Sequence, residues 1–320
     1  MLCLVAYFLP AIVIGNYVCK LSDLVDLLQF SFSQAVPMSC PLHFAANLSW
    51  LFPELEKLSH RIKAAAQAGF KAVEVAWPYD TEVTELKQAL EKNGVDLILI
   101  NTPPGNKAKG ELGLGALPMQ EAEFRAGLDL AVKYAKTVGC KQIHLMAGRV
   151  PVGLDRTSVA KAMEATFIEN LKYAADILSK EGLLGLVEPI NTRITDPRYF
   201  LNTPHQAVRI LQQVDRPNLK LQLDLFHCQI MDGNLTQNIT NYFPLIGHVQ
   251  IAQVPNRNEA DSPGEISYSY IFSLLEKLGY QGYVGCEYTP KGNTVDGLGW
   301  LRSYWGNQGT KKLAGRAECQ

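Results

Sequence analysis

Short apolar runs alternate with longer amphipathic runs eight times between residues 42 and 305, and this rhythm constrains the chain more than any other feature. LHFAANL (42–48) reads as a strand and ELEKLSHRIKAAAQAGF (54–70) as a helix, followed by strand KAVEVAW (71–77) and helix EVTELKQALEKNG (82–94). The pattern continues as strand 95–101, helix 120–139, strand 141–148, helix 158–182 and strand 183–189. It closes with helix 203–214, strand 218–227, a less regular helical stretch at 234–243, strand 247–253, helix 269–279, strand 283–288 and helix 295–305. The strand segments are nearly continuous apolar runs, as expected where helices cover parallel strands. Glycines such as Gly94 and Gly139 stand where helices would end in a left-handed cap. No glycine-rich phosphate loop follows the first strand. The pattern therefore predicts an α/β protein with one closed (β/α)8 TIM barrel over 38–306, rather than an open doubly wound sheet or two domains.

Two segments fall outside this rhythm. Residues 1–19 carry no charge before Lys20, yet they lack the basic start of a secretory signal, and Pro10, Gly15 and Asn16 interrupt the run. Residues 1–37 are expected to be an N-terminal extension outside the fold. The competing reading is a targeting or anchoring segment, with Ser33-Gln34-Ala35 as a weak cleavage candidate. Residues 307–320 are expected to be a disordered tail. The seven cysteines are odd in number, widely spaced and without a CxxC pair, which fits reduced thiols in a cytoplasmic setting better than a disulfide framework. With 30 Lys+Arg against 31 Asp+Glu, the net charge of −1 argues against a nucleic-acid partner, and no membrane partner is expected.

Barrel chemistry collects at the C-terminal ends of strands. Strand five ends in Glu188, strand six in Asp224 and strand eight in Glu287, while strand seven carries Gln250. Three carboxylates crowded at one rim are costly unless something offsets their charge. A divalent cation on oxygen ligands, Mg²⁺ or Mn²⁺ rather than structural zinc, would do so. His227 follows Asp224 by three residues and Arg257 follows Gln250 by seven, so both are candidates to hold an anionic substrate. Arg149 and Arg193 are weaker candidates of the same kind. His144 reads as a core histidine and His248 as a support for Gln250. Trp50 and Trp77 are candidate pocket walls, and GELGLGALP (110–118) is a candidate lid. There is no G-x-S-x-G, HExxH or P-loop.

The segments NLSWLFPE, VEVAWPY, LINTPPG, IHLMAGR, LVEPINTRITDPRYFL, QLDLFHCQIMDGNL, HVQIAQVPNR and GCEYTPKG, taken together, resemble the hydroxypyruvate isomerase family of xylose-isomerase-like barrels. The resemblance covers 38–305. It implies paired proton donor and acceptor roles for Glu188 and Glu287. It also implies a metal set of Glu188, Asp224, Gln250 and Glu287, in which Gln250 stands where related epimerases have histidine. The implied reaction interconverts hydroxypyruvate and 2-hydroxy-3-oxopropanoate through an enediolate. Three alternatives stay open: a longer 2-oxo acid or ketose on the same site, a catalytically silent barrel acting as a binding protein, and, least favoured, a metal-dependent DNA-repair nuclease. A homo-oligomer is compatible with the sequence, which does not identify an interface.

Overall fold

The computed structural model describes residues 41–306, together with the backbone of 11–14 and 17–20. Eight parallel strands close into one barrel: β1 (His43–Asn47), β2 (Ala72–Val75), β3 (Asp96–Asn101), β4 (Gln142–His144), β5 (Leu184–Val187), β6 (Leu219–Asp224), β7 (Ile246–Ile251) and β8 (Tyr283–Cys286). Each strand pairs with its neighbours in chain order, and β8 returns to β1 through Tyr283↔His43 and Cys286↔Ala46. The helices between them are α1 (Leu58–Gln67), α2 (Val83–Asn93), α3 (Glu121–Val138), α4 (Arg156–Lys180), α5 (Pro204–Val214), the pair α6 (Leu225–Met231) and α7 (Leu235–Tyr242), and α8 (Tyr268–Lys277). Residues 299–306 form the closing helix, α9. The expected barrel is the observed one.

Local chemistry explains the helix starts. Asp155 accepts from Ser158 N–H at 2.9 Å to open α4. Thr203 accepts from Gln206 N–H at 3.2 Å, with Pro204 in the first turn, to open α5. Such caps satisfy amide donors that have no carbonyl partner within the helix. The barrel is sealed where β1 meets the chain end: Phe44 packs edge-on against Phe272, Trp300 and Tyr304, with centroids 5.2–5.4 Å apart. Leu42 N–H donates to the Tyr304 hydroxyl at 2.9 Å.

The structure shortens several expected elements, among them strand 71–77 to Ala72–Val75, strand 141–148 to Gln142–His144 and strand 283–288 to Tyr283–Cys286. Helix 54–70 is regular only over Leu58–Gln67. Strand 218–227 stops at Asp224, whose Oδ1 accepts from Phe226 N–H at 2.7 Å and opens α6. His227 therefore rides on a helix that begins inside the barrel mouth. The glycines of 110–118 have a packing role. Gly115 N–H donates to Met146 O at 3.0 Å and Ala116 N–H to Ala147 O at 2.7 Å, and a Cβ at Gly113 would collide with Met146. The candidate lid is pinned as wall over 113–116.

Outside the barrel, Ala11–Ile14 and Tyr17–Lys20 form an antiparallel two-stranded unit. The rest of the expected extension, and the tail 307–320, lie outside the described residues. Among the described residues no helix is long and apolar enough to cross a membrane.

Candidate active site

A strand turns alternate side chains to one face, so residues two apart share a side of the barrel wall. Gln222 and Asp224, His248 and Gln250, and Gly285 and Glu287 are such pairs, and the register sets Asp224 beside Gln250 and Gln250 beside Gly285. The C-terminal barrel mouth holds a cavity of about 230 Å³, lined by Glu188, His227, Gln250, Arg257 and Glu287 among others. Asp224 stands behind its wall, within ion-pair reach of His227 Nε2 (3.5 Å) and Arg257 Nη2 (3.6 Å). All six candidate site residues are thus gathered at one place, although they span a hundred positions of sequence.

Arg257 is fixed from several sides. Its N–H donates to Gln253 O and its carbonyl accepts from Thr289 N–H, both at 2.7 Å. The guanidinium lies 4.2 Å from the Trp50 ring centroid and 4.9 Å from that of Phe226, and Nη2 donates to Glu287 Oε1 at 2.7 Å. A cation lying over two aromatic rings is held in place by both.

The Nδ1 of His227 sits 2.7 Å from Asn191 Nδ2 and 3.3 Å from Asn191 N–H. The Asn191 amide has a defined orientation because its Oδ1 accepts from Ile194 N–H (3.0 Å) and Thr195 N–H (3.1 Å). Nδ1 must therefore be the acceptor, which assigns the ring proton to Nε2. Burial, with the Arg257 charge second, holds this imidazole well below its usual pKa. His227 is neutral and points an N–H toward Asp224 Oδ2 and toward Glu188 Oε1 at 3.9 Å.

The carboxyl groups are driven the other way. Burial raises Glu188 well above the ordinary range, and the charges of Glu287 and Asp224 add to it. Burial raises Asp224 against the opposing pull of Arg257 and the backbone N–H groups of Phe226 and His227. Glu287, with a side chain only 14% exposed, is pushed up to about 8, burial outweighing Arg257. Groups so displaced toward neutral pH can give and take protons there.

The carboxylate cluster fits a divalent cation. Glu188, Asp224 and His227 each offer one atom, all within 4.8 Å of one another. Glu188 Oε1 and Asp224 Oδ2 are buried without a hydrogen-bond partner, and spare lone pairs aimed into one space are what a hard cation satisfies. Gln250 and Glu287 adjoin this space with prior commitments. Gln250 Oε1 accepts from Gln222 Nε2 at 2.6 Å, and its Nε2 donates to Glu74 Oε2 at 2.8 Å. Glu287 Oε2 accepts from Asn47 Nδ2 at 3.1 Å.

Glu74 is a fourth acid at this site that sequence reading missed. It is buried on β2 and accepts from His248 Nε2 (2.6 Å), Gln250 Nε2 (2.8 Å) and Asn47 Nδ2 (3.1 Å). Gly285 makes room for it, since a Cβ there would collide with the Glu74 carboxylate. A charge interrupting the apolar run AVEV is the same signal that exposes Glu188. His248 thus supports Gln250 only through Glu74, and His144, neutral by burial with a pKa near 3, lies 3.3 Å from Glu188 Oε2. Trp50 and Trp77 both line the cavity. Arg149 instead pairs with Asp196 at 2.6 Å and holds Gly110 O at 2.7 Å, and Arg193 is exposed away from the cavity lining.

The family model for the xylose isomerase-like TIM barrel matches residues 62–304. The chain belongs to that family. Within it, the chain belongs to the hydroxypyruvate isomerase family. It is 63% identical over 265 residues to a Danio rerio protein named "Putative hydroxypyruvate isomerase", covering 83% of this chain and 96% of that one. It is 45% identical over 261 residues to the 2-oxo-tetronate isomerase of Pectobacterium atrosepticum, covering 82% of this chain and 97% of that one. A solved Brucella melitensis structure, titled as a family 2 AP endonuclease, is 46% identical with a TM-score of 0.78, over 82% of this chain and 99% of that one. In this hydroxypyruvate isomerase family member, the family-model match from 62 to 304 contains all six candidate site residues.

Proposed function

We propose that this protein is an isomerase of small 2-oxo acids that interconverts hydroxypyruvate and 2-hydroxy-3-oxopropanoate. The observation that carries the reading is the pairing of Glu188 and Glu287. They are two carboxyls from different strands, both raised in pKa by burial, on one cavity sized for a small acid. The names of the relatives, hydroxypyruvate isomerase and 2-oxo-tetronate isomerase, support the substrate class.

The chemistry moves one proton from C3 to C2 and the hydroxyl proton from O3 to O2. One glutamate takes the C3 proton as its electron pair shifts into the C2–C3 bond, leaving an enediolate. The other glutamate delivers a proton to C2 as O3 becomes the carbonyl oxygen. Two acids on opposite sides of the substrate allow one to be basic while the other is protonated. The neutral His227 donates its Nε2–H to a substrate oxygen as negative charge grows there, an interaction stronger in the transition state than in the ground state. Arg257, oriented by Trp50 and Phe226, binds the substrate carboxylate. Asp224, Glu188, Gln250 and Glu287 would hold Mg²⁺ or Mn²⁺, which when bound supplies Lewis-acid stabilisation of the developing charge. His227 belongs with the substrate rather than the ion, because its cavity-facing nitrogen carries a proton.

The Brucella title belongs to that protein; a small cavity and a net charge of −1 favour a small anion over a polyanion here. The same reading places the barrel in the cytoplasm, with residues 1–37 and 307–320 as appendages to it.

The test is turnover of hydroxypyruvate by Glu188→Gln and Glu287→Gln. Each substitution should lower kcat by at least ~10³-fold with the thermal midpoint preserved, and solvent deuterium should still enter C3 of hydroxypyruvate only in the variant that keeps the C3 base. Substantial turnover in either variant would refute the paired-acid mechanism.

A further inference from the structure

Among the four candidate cation ligands, only Gln250 has two chemically opposite ends. A carboxylate offers oxygen whichever way it turns. A reversed amide would instead offer its NH₂ group, which has no lone pair to give a cation. Something must therefore decide which end of Gln250 faces the side where Asp224 stands.

Gln222 does not decide it. Its Nε2 donates to Gln250 Oε1 at 2.6 Å, but its own Oε1 is buried without a hydrogen-bond partner. With both amides reversed, Gln250 would donate to Gln222 instead, and Gln222 would lose no other hydrogen bond.

Glu74 does decide it. Its Oε2 accepts from Gln250 Nε2 at 2.8 Å and from Asn47 Nδ2 at 3.1 Å. The Asn47 amide is set independently, since its Oδ1 accepts from Ser49 N–H and its Nδ2 also donates to Glu287 Oε2, both at 3.1 Å. A reversed Gln250 would press its carbonyl oxygen against a buried carboxylate oxygen, two acceptors with no proton between them.

The reach from Glu74 to Gln250 is built into the barrel. Glu74 stands on β2 and Gln250 on β7, with β1 and β8 between them. Gly285, the register partner of Gln250 on β8, leaves the way open, because a Cβ there would overlap the Glu74 carboxylate. His248 Nε2 donates to Glu74 Oε1 at 2.6 Å and holds the other half of that carboxylate. With its NH₂ end drawn toward β2, Gln250 turns Oε1 to the β6 side. Gln222 meets it there, and Asp224, two residues further along the same face, is its register partner. A carbonyl oxygen has two lone pairs, and Gln222 takes one of them.

We infer that Glu74 is a positioning residue for the cation: it holds Gln250 by the NH₂ end and so presents the Gln250 carbonyl oxygen as a ligand beside Asp224. Partners that orient a ligand in this way tune affinity without touching the ion. This inference rests on the cation set of the isomerase reading above and adds a residue that acts through Gln250.

The experiment measures Mn²⁺ affinity of chelator-treated protein by calorimetric titration without substrate. The thermal midpoint of each metal-free variant checks its folding. An amide at position 74 can turn either end to Gln250, so Glu74→Gln should weaken Mn²⁺ binding by about tenfold. Gln250→Ala should weaken it as well. In that background Glu74→Gln should add little, leaving the double variant within about threefold of Gln250→Ala. Exchanging the pair, Glu74→Gln with Gln250→Glu, conserves charge and volume and puts oxygen at both ends of the side chain at 250. The exchanged pair should recover wild-type affinity.

Unchanged affinity in Glu74→Gln would overturn the assignment, as would a wild type that binds no Mn²⁺. Losses that multiply in the double variant would also overturn it, because they are what Glu74 produces through its charge alone. An exchanged pair as weak as Glu74→Gln would do the same. Each of these failures leaves the isomerase reading standing wherever wild type converts hydroxypyruvate. The expected affinities in a wild type that does not convert it would sink that reading alone.

Discussion

At the scale of single residues, the site depends on orientation more than on the presence of charge. Arg257 holds its guanidinium over the rings of Trp50 and Phe226 while within ion-pair reach of both Glu287 and Asp224. A lysine would keep the charge and lose the plane, the stacking and the fork of donors. Arg257→Lys should therefore lower kcat/KM for hydroxypyruvate by about 10- to 100-fold, mostly through KM, and steady-state kinetics would check this. An unchanged KM would argue against a substrate-carboxylate role. Glu188, Asp224 and Glu287 were legible in the sequence because an acid inside an apolar strand end is anomalous. Glu74 carries the same mark in AVEV, and Asn101 a polar one in DLILIN, on strands outside the β5–β8 group. What each contacts was not legible. Asn191 controls the tautomer of His227 from 36 positions away, and no spacing rule connects the two.

At the scale of elements, the junction of β6 and α6 combines stability with chemistry in one side chain. Oδ1 of Asp224 caps α6 through Phe226 N–H, while Oδ2 is left buried without a hydrogen bond, within ion-pair reach of His227 and Arg257. Asparagine caps helices about as well as aspartate, whereas alanine does not. Asp224→Asn should thus keep the thermal midpoint close to wild type while abolishing turnover. Asp224→Ala should lose turnover and also about 1 kcal/mol of stability. Thermal melts of the two variants beside their kinetics would check this; equal stability of both would mean that the cap contributes nothing. The sequence reading of 218–227 as one strand failed here for a physical reason. LDLFH is apolar enough for a strand, and only the cap formed by Asp224 turns the chain into a helix.

At the scale of the whole molecule, the candidate cation ligands Glu188 and Asp224 follow or end separate strands, and only the closed barrel brings an oxygen of one within 4.8 Å of an oxygen of the other. An ion bound there binds the folded state alone and stabilises it by mass action. Addition of Mn²⁺ to chelator-treated protein should raise the thermal midpoint and restore turnover, with Asp224→Asn showing neither response; a midpoint indifferent to Mn²⁺ would count against the site.

The sequence by itself determined the eightfold strand–helix repeat, and so the closed barrel and the rim where its chemistry gathers, because apolar periodicity and helix-ending glycines are local properties. It also marked the acids, since charge within a buried strand is visible without knowing its neighbours. Only the tertiary structure decided which lone pairs are spent and which are spare. It tied Gln250 to Glu74 and Gln222, turned the proton of His227 into the cavity, set Arg257 over two aromatic rings and left the Asn101 side chain with only the Met146 thioether. Those facts depend on ångström-scale contacts between residues far apart in the chain, and hydrogen-bond energies fall away too steeply with distance and angle for any sequence pattern to carry them.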